Sequence, residues 1–336
     1  MSEARATVPA HRLSVAPMMD WTDRHCRYYL RLIAPQVLLY TEMVTTGALV
    51  HGDVPRHLDY SAEEHPVALQ LGGSEPEDLA HCARLAEQWG YDEVNLNVGC
   101  PSERVQRGAF GACLMAEPAL VAECVRALRA ATHLPVTVKH RIGIDAVEDY
   151  GFVRDFVGQV AEAGCGTFIV HARNAILKGL SPRENREIPP LKYDYVHRLK
   201  REFPALTLVI NGGLTTWAQV EAQLARVDGV MLGRAAYHDS YLLAEAGARV
   251  FGQAAPPRSR AEVAQAMHAY ATRVVAQGGL LRWVTRHMLG LYHGHGRARA
   301  WRRLLSDSAR LVANDPDLIL QALEAAESRA ADRAAA

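Results

Sequence analysis

Residues 94–101 read Val-Asn-Leu-Asn-Val-Gly-Cys-Pro. Alternating apolar and polar side chains mark a strand, and Gly99 marks its end. Asn95 and Asn97 then share one face. Cys100 stands just past the strand's carboxyl end, with Pro101 fixing the backbone after it. A thiol so placed can attack as a nucleophile, ligate a metal, or fill space as a small apolar group. The other cysteines are Cys26, Cys82, Cys113, Cys124 and Cys165, and none makes a C-x-x-C pair. Zinc and iron–sulfur sites are therefore not expected, and no metal site is assigned.

Similar apolar runs, each closing on a polar or flexible residue, cover residues 12–17, 37–43, 67–71, 92–97, 135–140, 166–171, 206–211 and 228–232. Helical patterns fill the intervals, for example 118–130, 150–163 and 217–226. Ser74-Glu75-Pro76-Glu77 reads as a helix start with Ser74 as N-cap. Eight strands alternating with helices over about 250 residues predict an α/β fold, a (β/α)8 TIM barrel. An open doubly wound sheet is the rival. Eight units in unbroken order favour closure, and no G-x-G-x-x-G follows the first strand.

Catalytic groups of such barrels gather at the carboxyl ends of the strands. Here those ends carry Met18 and Met19, Gln70, Asn97 with Cys100, Lys139, His171, Asn211 and Arg234. The seventh and eighth strands run into Gly212-Gly213 and Gly233-Arg234. These turns have few side chains, so their N–H groups can approach a phosphate, and Arg234 can add a charge-assisted contact. Two long connections lie on the same side. Residues 98–116 include Arg104 and Arg107, and residues 174–190 include Lys178, Arg183 and Arg186.

The 336 residues are 49% hydrophobic and carry 37 basic and 37 acidic side chains, so overall charge points to no partner. Its distribution does. From Arg258 to Arg310 there are ten arginines against Glu262 and Asp307, a formal +8 that leaves −8 on the remainder. Ala254-Ala255-Pro256-Pro257 reads as a linker. The predicted domains are a barrel over 1–252 and an all-helical domain over 258–336. In the latter, Arg297, Arg299, Arg302 and Arg303 surround Trp301, with Tyr292 nearby, a composition suited to phosphate contact and base stacking. Arg299 and Arg302 share a helix face. No signal peptide or membrane-length apolar run is visible, so a cytoplasmic protein with reduced thiols is expected.

Taken together, the motifs resemble those of the tRNA-dihydrouridine synthases. The matching stretches are Ala16-Pro-Met-Met-Asp20, Asn95-Leu-Asn-Val-Gly-Cys-Pro-Ser102, Gly111-Ala-Cys-Leu-Met115 and Val136-Thr-Val-Lys139 with Arg141-Ile-Gly-Ile-Asp145. They continue through Val170-His-Ala-Arg173, Gly179-Leu-Ser-Pro182 with Glu184-Asn-Arg186, Asn211-Gly-Gly213 and Gly233-Arg234. The resemblance spans the barrel and extends weakly into the helical domain. It implies a bound FMN, reduction by NADPH, and conversion of uridine in the tRNA D-loop to 5,6-dihydrouridine, at positions 20 and 20a in the most similar bacterial subgroup. It also implies that Pro17, Met18, Met19 and Gln70 line the flavin, and that Lys139 and His171 contact its ring system. Asn211, Gly212, Gly213, Gly233 and Arg234 would hold its phosphate, and Cys100 would donate the proton. Asn97 would hold the uracil, while Arg183, Arg186, Arg299 and Arg302 would orient tRNA. No membrane and no obligate protein partner is implied. The subgroup often has Lys where Asn174 and Arg183 stand here. Arg183 keeps the charge and Asn174 loses it.

A small-molecule FMN barrel oxidoreductase is a second reading, against which the basic helical domain argues. A barrel that binds RNA without catalysis is a third, against which Cys100, Lys139 and His171 argue.

Overall fold

The structure is a computed structural model that describes residues 9–328, apart from 103, 104, 106, 107 and 148. Its sheet contains β1 (Leu13–Val15), β2 (Leu39–Tyr40), β3 (Val44–Thr45), β4 (Val67–Gly72), β5 (Glu93–Val98), β6 (Val136–Arg141), β7 (Thr167–His171), β8 (Thr207–Asn211) and β9 (Gly229–Leu232). Every pairing is parallel, in the order β1-β9-β8-β7-β6-β5-β4-β2, with β3 beside the end of β4. A parallel bridge between Ser14 and Leu38 brings β1 back to the chain entering β2. There Val15 N–H donates to Leu38 O at 3.0 Å and Leu38 N–H donates to Leu13 O at 3.2 Å. The eight-stranded ring is thus nearly closed, and the alternating helices make it the predicted TIM barrel.

All residues of β4 and β5 are buried, as expected for parallel strands covered on both faces. The alternation in β5 therefore does not separate core from solvent. Ala16, Leu38, Tyr40, Ala68, Ile169, Val209 and Met231 form one buried cluster drawn from six of the eight ring strands or the residues beside them, which places them in the barrel interior. Side chains two residues further along the same strands share that face. These are Gln70, His171 and Asn211, so the interior turns from apolar to polar toward the carboxyl ends.

Two local expectations change. The run 37–43 is not one strand: β2 ends at Tyr40 and β3 resumes at Val44. In the gap the Thr41 hydroxyl accepts the Gln70 N–H at 3.0 Å, replacing a ladder bond. The helix after β4 is Pro76–Gln88, with Glu75 rather than Ser74 in the N-cap place and no side-chain cap bond. Pro76 already removes one of the donors a cap would satisfy.

The chain divides into two compact units. One runs to Arg24 and takes in Val37–Gly233; the other comprises His25–Gln36 and the chain from Arg234 onward. The division falls at Gly233, not at the proline-rich stretch 254–257. The helical unit is built on helix Arg260–Ala276, whose Ser259 and Glu262 form a capping box, and on helices Ala298–Leu305 and Leu318–Glu327 packed together. Among the described residues, no helix is long and apolar enough to cross a membrane.

Candidate active site

Cys100 lies two residues past Val98, the last residue of β5, and is partly exposed. Its N–H donates to Asn97 Oδ1 at 2.9 Å, as does that of Gly99 at 3.0 Å. The carboxamide of Asn97 thus folds the Gly99-Cys100 turn back onto its own strand. Its Nδ2 donates to Gln70 Oε1 at 2.9 Å, leaving Asn97 engaged at both ends. On the other side, Ala112 N–H donates to Cys100 O at 2.9 Å. Gly111 permits this approach: at φ +76° it carries no Cβ, which would lie 2.6 Å from Cys100 O and 2.4 Å from Val105 Cγ1. The thiol Sγ lies 3.6 Å from Ser102 Oγ.

Lys139 pairs laterally with Asn97 in the β5–β6 register. Its ammonium has no hydrogen-bond or ion-pair partner among the described residues. Burial and the nearby Arg141 guanidinium push it down to about 7, and Cys100 is close enough to oppose that shift. Arg141 is buried and spends its guanidinium on carbonyls: Nε donates to Gly99 O at 3.1 Å, and Nη1 to Asn174 O at 3.2 Å and Asn185 O at 3.0 Å. Burial pulls it down to about 10, so it stays charged at neutral pH. His171 lies beside Arg141 in the β6–β7 register. Burial, then Arg141, Lys139, Arg173 and Arg186, hold its imidazole well below the usual range, so the ring is neutral. The mouth is therefore electropositive and receptive to an anionic group.

Asn211 Nδ2 donates to Met231 O at 2.8 Å, tying β8 to β9 below the glycine turns. Gly212, at φ +120°, leaves room for protein rather than for a ligand: a Cβ there would lie 2.8 Å from His171 Cδ2. Gly212 O accepts the Tyr193 hydroxyl at 2.6 Å, and a Cβ at Gly213 would meet Leu191 Cδ1 at 2.6 Å. Gly233 is the open position, with only Ala16 Cβ at 4.0 Å. Arg234 is the first residue of the helical unit. Near the start of the barrel, Met18 N–H donates to Thr22 Oγ1 at 2.9 Å, Pro17 is half-buried and Met19 is exposed.

The connection 174–190 is pinned from within. Asn185 is fully buried, its Oδ1 accepting Ile176 N–H at 2.7 Å and its Nδ2 donating to Ile176 O at 2.9 Å. Asn174 is buried and donates to Val147 O at 2.8 Å, so the position where the subgroup often has Lys holds a structural amide here. Arg183 and Arg186 are exposed on either side of Asn185. Arg104 and Arg107 lie outside the described residues.

In the helical unit, Arg299, Arg302 and Arg303 are exposed, but their aromatic neighbours are not a stacking surface. Trp301 and Tyr292 are fully buried, and Trp301 Nε1 donates to Met288 O at 2.8 Å. Ala298, Trp301 and Leu305 form the inward face of their helix. The exposed aromatic of this unit is Trp283, between exposed Arg282 and Arg286, its ring stacked at 6.4 Å on His25. The sequence reading passed over this Trp283 cluster, although Arg-Trp followed by Arg four residues after the first is a visible signal. It also gave no part to Glu93, Thr137 or Asn185, whose partners lie on other strands or earlier in their own loop.

A family model described as dihydrouridine synthase matches residues 14–331. The chain is 59% identical over 321 residues to a tRNA-dihydrouridine(20/20a) synthase of Pseudomonas putida, covering 96% of each chain. It is 56% identical to the enzyme of the same name from Vibrio cholerae, covering 93% of this chain and 95% of that one. The corresponding Salmonella typhi enzyme is 55% identical, with 95% and 96% covered. With the barrel, the thiol turn and the cationic mouth in place, these matches identify the chain as a member of the dihydrouridine synthase family.

Proposed function

We propose that this enzyme reduces uridine at positions 20 and 20a of tRNA to 5,6-dihydrouridine, with FMN bound at the barrel mouth and NADPH as reductant. The observation that carries the reading is the Cys100 turn, held by Asn97 beside the unpartnered Lys139 ammonium. The residues at the mouth fit a flavin nucleotide. Half-buried Lys139 and buried Arg141 bring two cations to the mouth, and the open space at Gly233 lets a phosphate approach its backbone. Gln70, Lys139 and His171 are the groups for the ring system, with Pro17, Met18 and Met19 at its edge. Asn211, Gly212, Gly213, Gly233 and Arg234 are assigned to the phosphate end, Gly212 acting through the room it gives His171.

A reduced flavin held by these residues would supply the hydride for the uracil C5=C6 bond, at C6. Negative charge then develops at C5, and Cys100 gives its proton there, so hydride and proton together complete the two-electron reduction. Lys139 and Arg141 stabilise the thiolate left behind, because both lie within its electrostatic reach. His171, kept neutral, contributes hydrogen bonding without a further charge. Asn97 assists the uracil by fixing Cys100, since its carboxamide is spent on the turn and on Gln70.

A target base in folded tRNA must leave its stack to reach this mouth. Arg183 and Arg186 on the 174–190 connection contact tRNA phosphates. In the helical unit Arg299 and Arg302 do the same, and exposed Trp283 offers a stacking face. The test is to incubate the protein with unmodified tRNA, FMN and NADPH and to map dihydrouridine by position. Dihydrouridine at 20 and 20a is expected. A protein that takes up no flavin, or tRNA that remains unmodified there, overturns the reading.

A further inference from the structure

We propose that Glu93, at the opposite end of β5 from Cys100, is a positioning residue that sets which way the Asn97 carboxamide faces; the catalytic part of this inference rests on Cys100 being the proton donor. A single line of hydrogen bonds runs through the barrel interior. Gly99 and Cys100 N–H donate to Asn97 Oδ1, and Asn97 Nδ2 donates to Gln70 Oε1 at 2.9 Å. Gln70 Nε2 donates to Asn95 Oδ1 at 2.7 Å, and Asn95 Nδ2 to Thr137 Oγ1 at 2.8 Å. The Thr137 hydroxyl donates to Glu93 Oε1 at 2.5 Å. Each of these side chains is buried.

Every intermediate group can both donate and accept, so each taken alone could turn over. The ends cannot. Backbone N–H groups only donate, and Glu93 Oε1 accepts. Both ends demand the same direction, so turning any one amide sets donor against donor and acceptor against acceptor among buried groups. Glu93 is itself fixed: Tyr40 donates to Oε1 at 2.9 Å, and Oε2 lies 2.7 Å from His11 Nε2. Oε1 already receives the Tyr40 and Thr137 hydroxyls, so a proton on the carboxyl belongs on Oε2 and Oε1 accepts in either protonation state. Without that acceptor the direction rests on the Gly99 and Cys100 N–H groups alone: a Thr137 hydroxyl turned to Asn95 drives the line the other way, and in part of the population Asn97 presents Nδ2 to those N–H groups and the turn loses its acceptor.

The experiment compares Glu93→Met and Thr137→Val with the conservative pair Glu93→Gln and Thr137→Ser. The first readout is hydrogen exchange at the Gly99 and Cys100 amides in protein without tRNA. In the first pair their exchange is expected to rise roughly tenfold or more, about the weight of one hydrogen bond, while β7 and β8 amides stay protected. In the conservative pair protection returns. The second readout is dihydrouridine formation, where kcat falls and KM for tRNA holds in the first pair and kcat recovers in the second. If Glu93→Met does not fold, the isosteric Thr137→Val decides. Exchange at wild-type rate in folded Thr137→Val, or Glu93→Gln as damaging as Glu93→Met, overturns the proposal. A wild-type protein that makes no dihydrouridine instead overturns the reading of Cys100, and the exchange result stands apart from it.

Discussion

Cys100, Asn97 and Lys139 are neighbours because two register positions put them there: Asn97 pairs with Lys139, and the turn begins one residue past Val98. Replacing Cys100 with Ala removes the proposed proton donor and nothing that holds the turn, since the turn bonds are backbone to Asn97. Cys100→Ala is expected to keep flavin uptake and tRNA affinity while losing about 10²–10⁴ in dihydrouridine formation; normal product would refute the assignment. Lys139 gives a prediction in pH. Its folded value is about 7, below the ordinary value of 10.5, so between those limits the unfolded chain holds a proton that the folded chain lacks. Stability of flavin-free protein should therefore rise with pH across that window, by at most about 1.4 kcal/mol per pH unit for one proton. Urea midpoints from pH 7 to 9.5 should show the slope in wild type and lose it in Lys139→Met.

At the scale of elements, two segments owe their shape to single buried groups. The 174–190 connection closes on Asn185, which answers the backbone of Ile176, Leu180 and Ser181. Asn185→Ala orphans those groups and should cost roughly 1–3 kcal/mol. Limited proteolysis is expected to cut within 176–188, and tRNA affinity should fall as Arg183 and Arg186 lose their platform. The helix Ala298–Leu305 carries its arginines outward because Trp301 points inward. Trp301→Ala should destabilise the helical unit by roughly 3–5 kcal/mol, read as a lowered unfolding midpoint. A stacking role would instead lower tRNA affinity and leave the midpoint alone. The spacing of Ala298, Trp301 and Leu305 already shows an apolar stripe. The sequence reading weighed the arginines around Trp301 and missed the period that turned the indole inside.

Across the whole molecule, charge is segregated along the chain while the total is balanced. The arginine-rich stretch falls within the helical unit, and Arg299 and Arg302 are among its exposed cations. If each neutralises one phosphate, Arg299→Ala with Arg302→Ala should lower the log–log salt slope of tRNA binding by roughly 2. An unchanged slope would assign the basic surface to another partner. The eight barrel strands were legible because each is a compact apolar run ended by a polar or glycine residue. The gap between β2 and β3 was not, because it depends on Thr41 reaching the backbone of a neighbouring strand.

By itself the sequence determined the barrel, the residues at its carboxyl ends and the thiol turn, since strand period, turn chemistry and helix alternation are local properties. Only the tertiary structure decided what those residues do to one another. Asn97 binds the Cys100 turn, Asn174 became a structural amide, and Trp301 became core. Gly212 accommodates His171 while Gly233 stays open. Each outcome depends on which side chains meet across strands and loops, and on the requirement that a buried polar group find a partner wherever the fold has placed one.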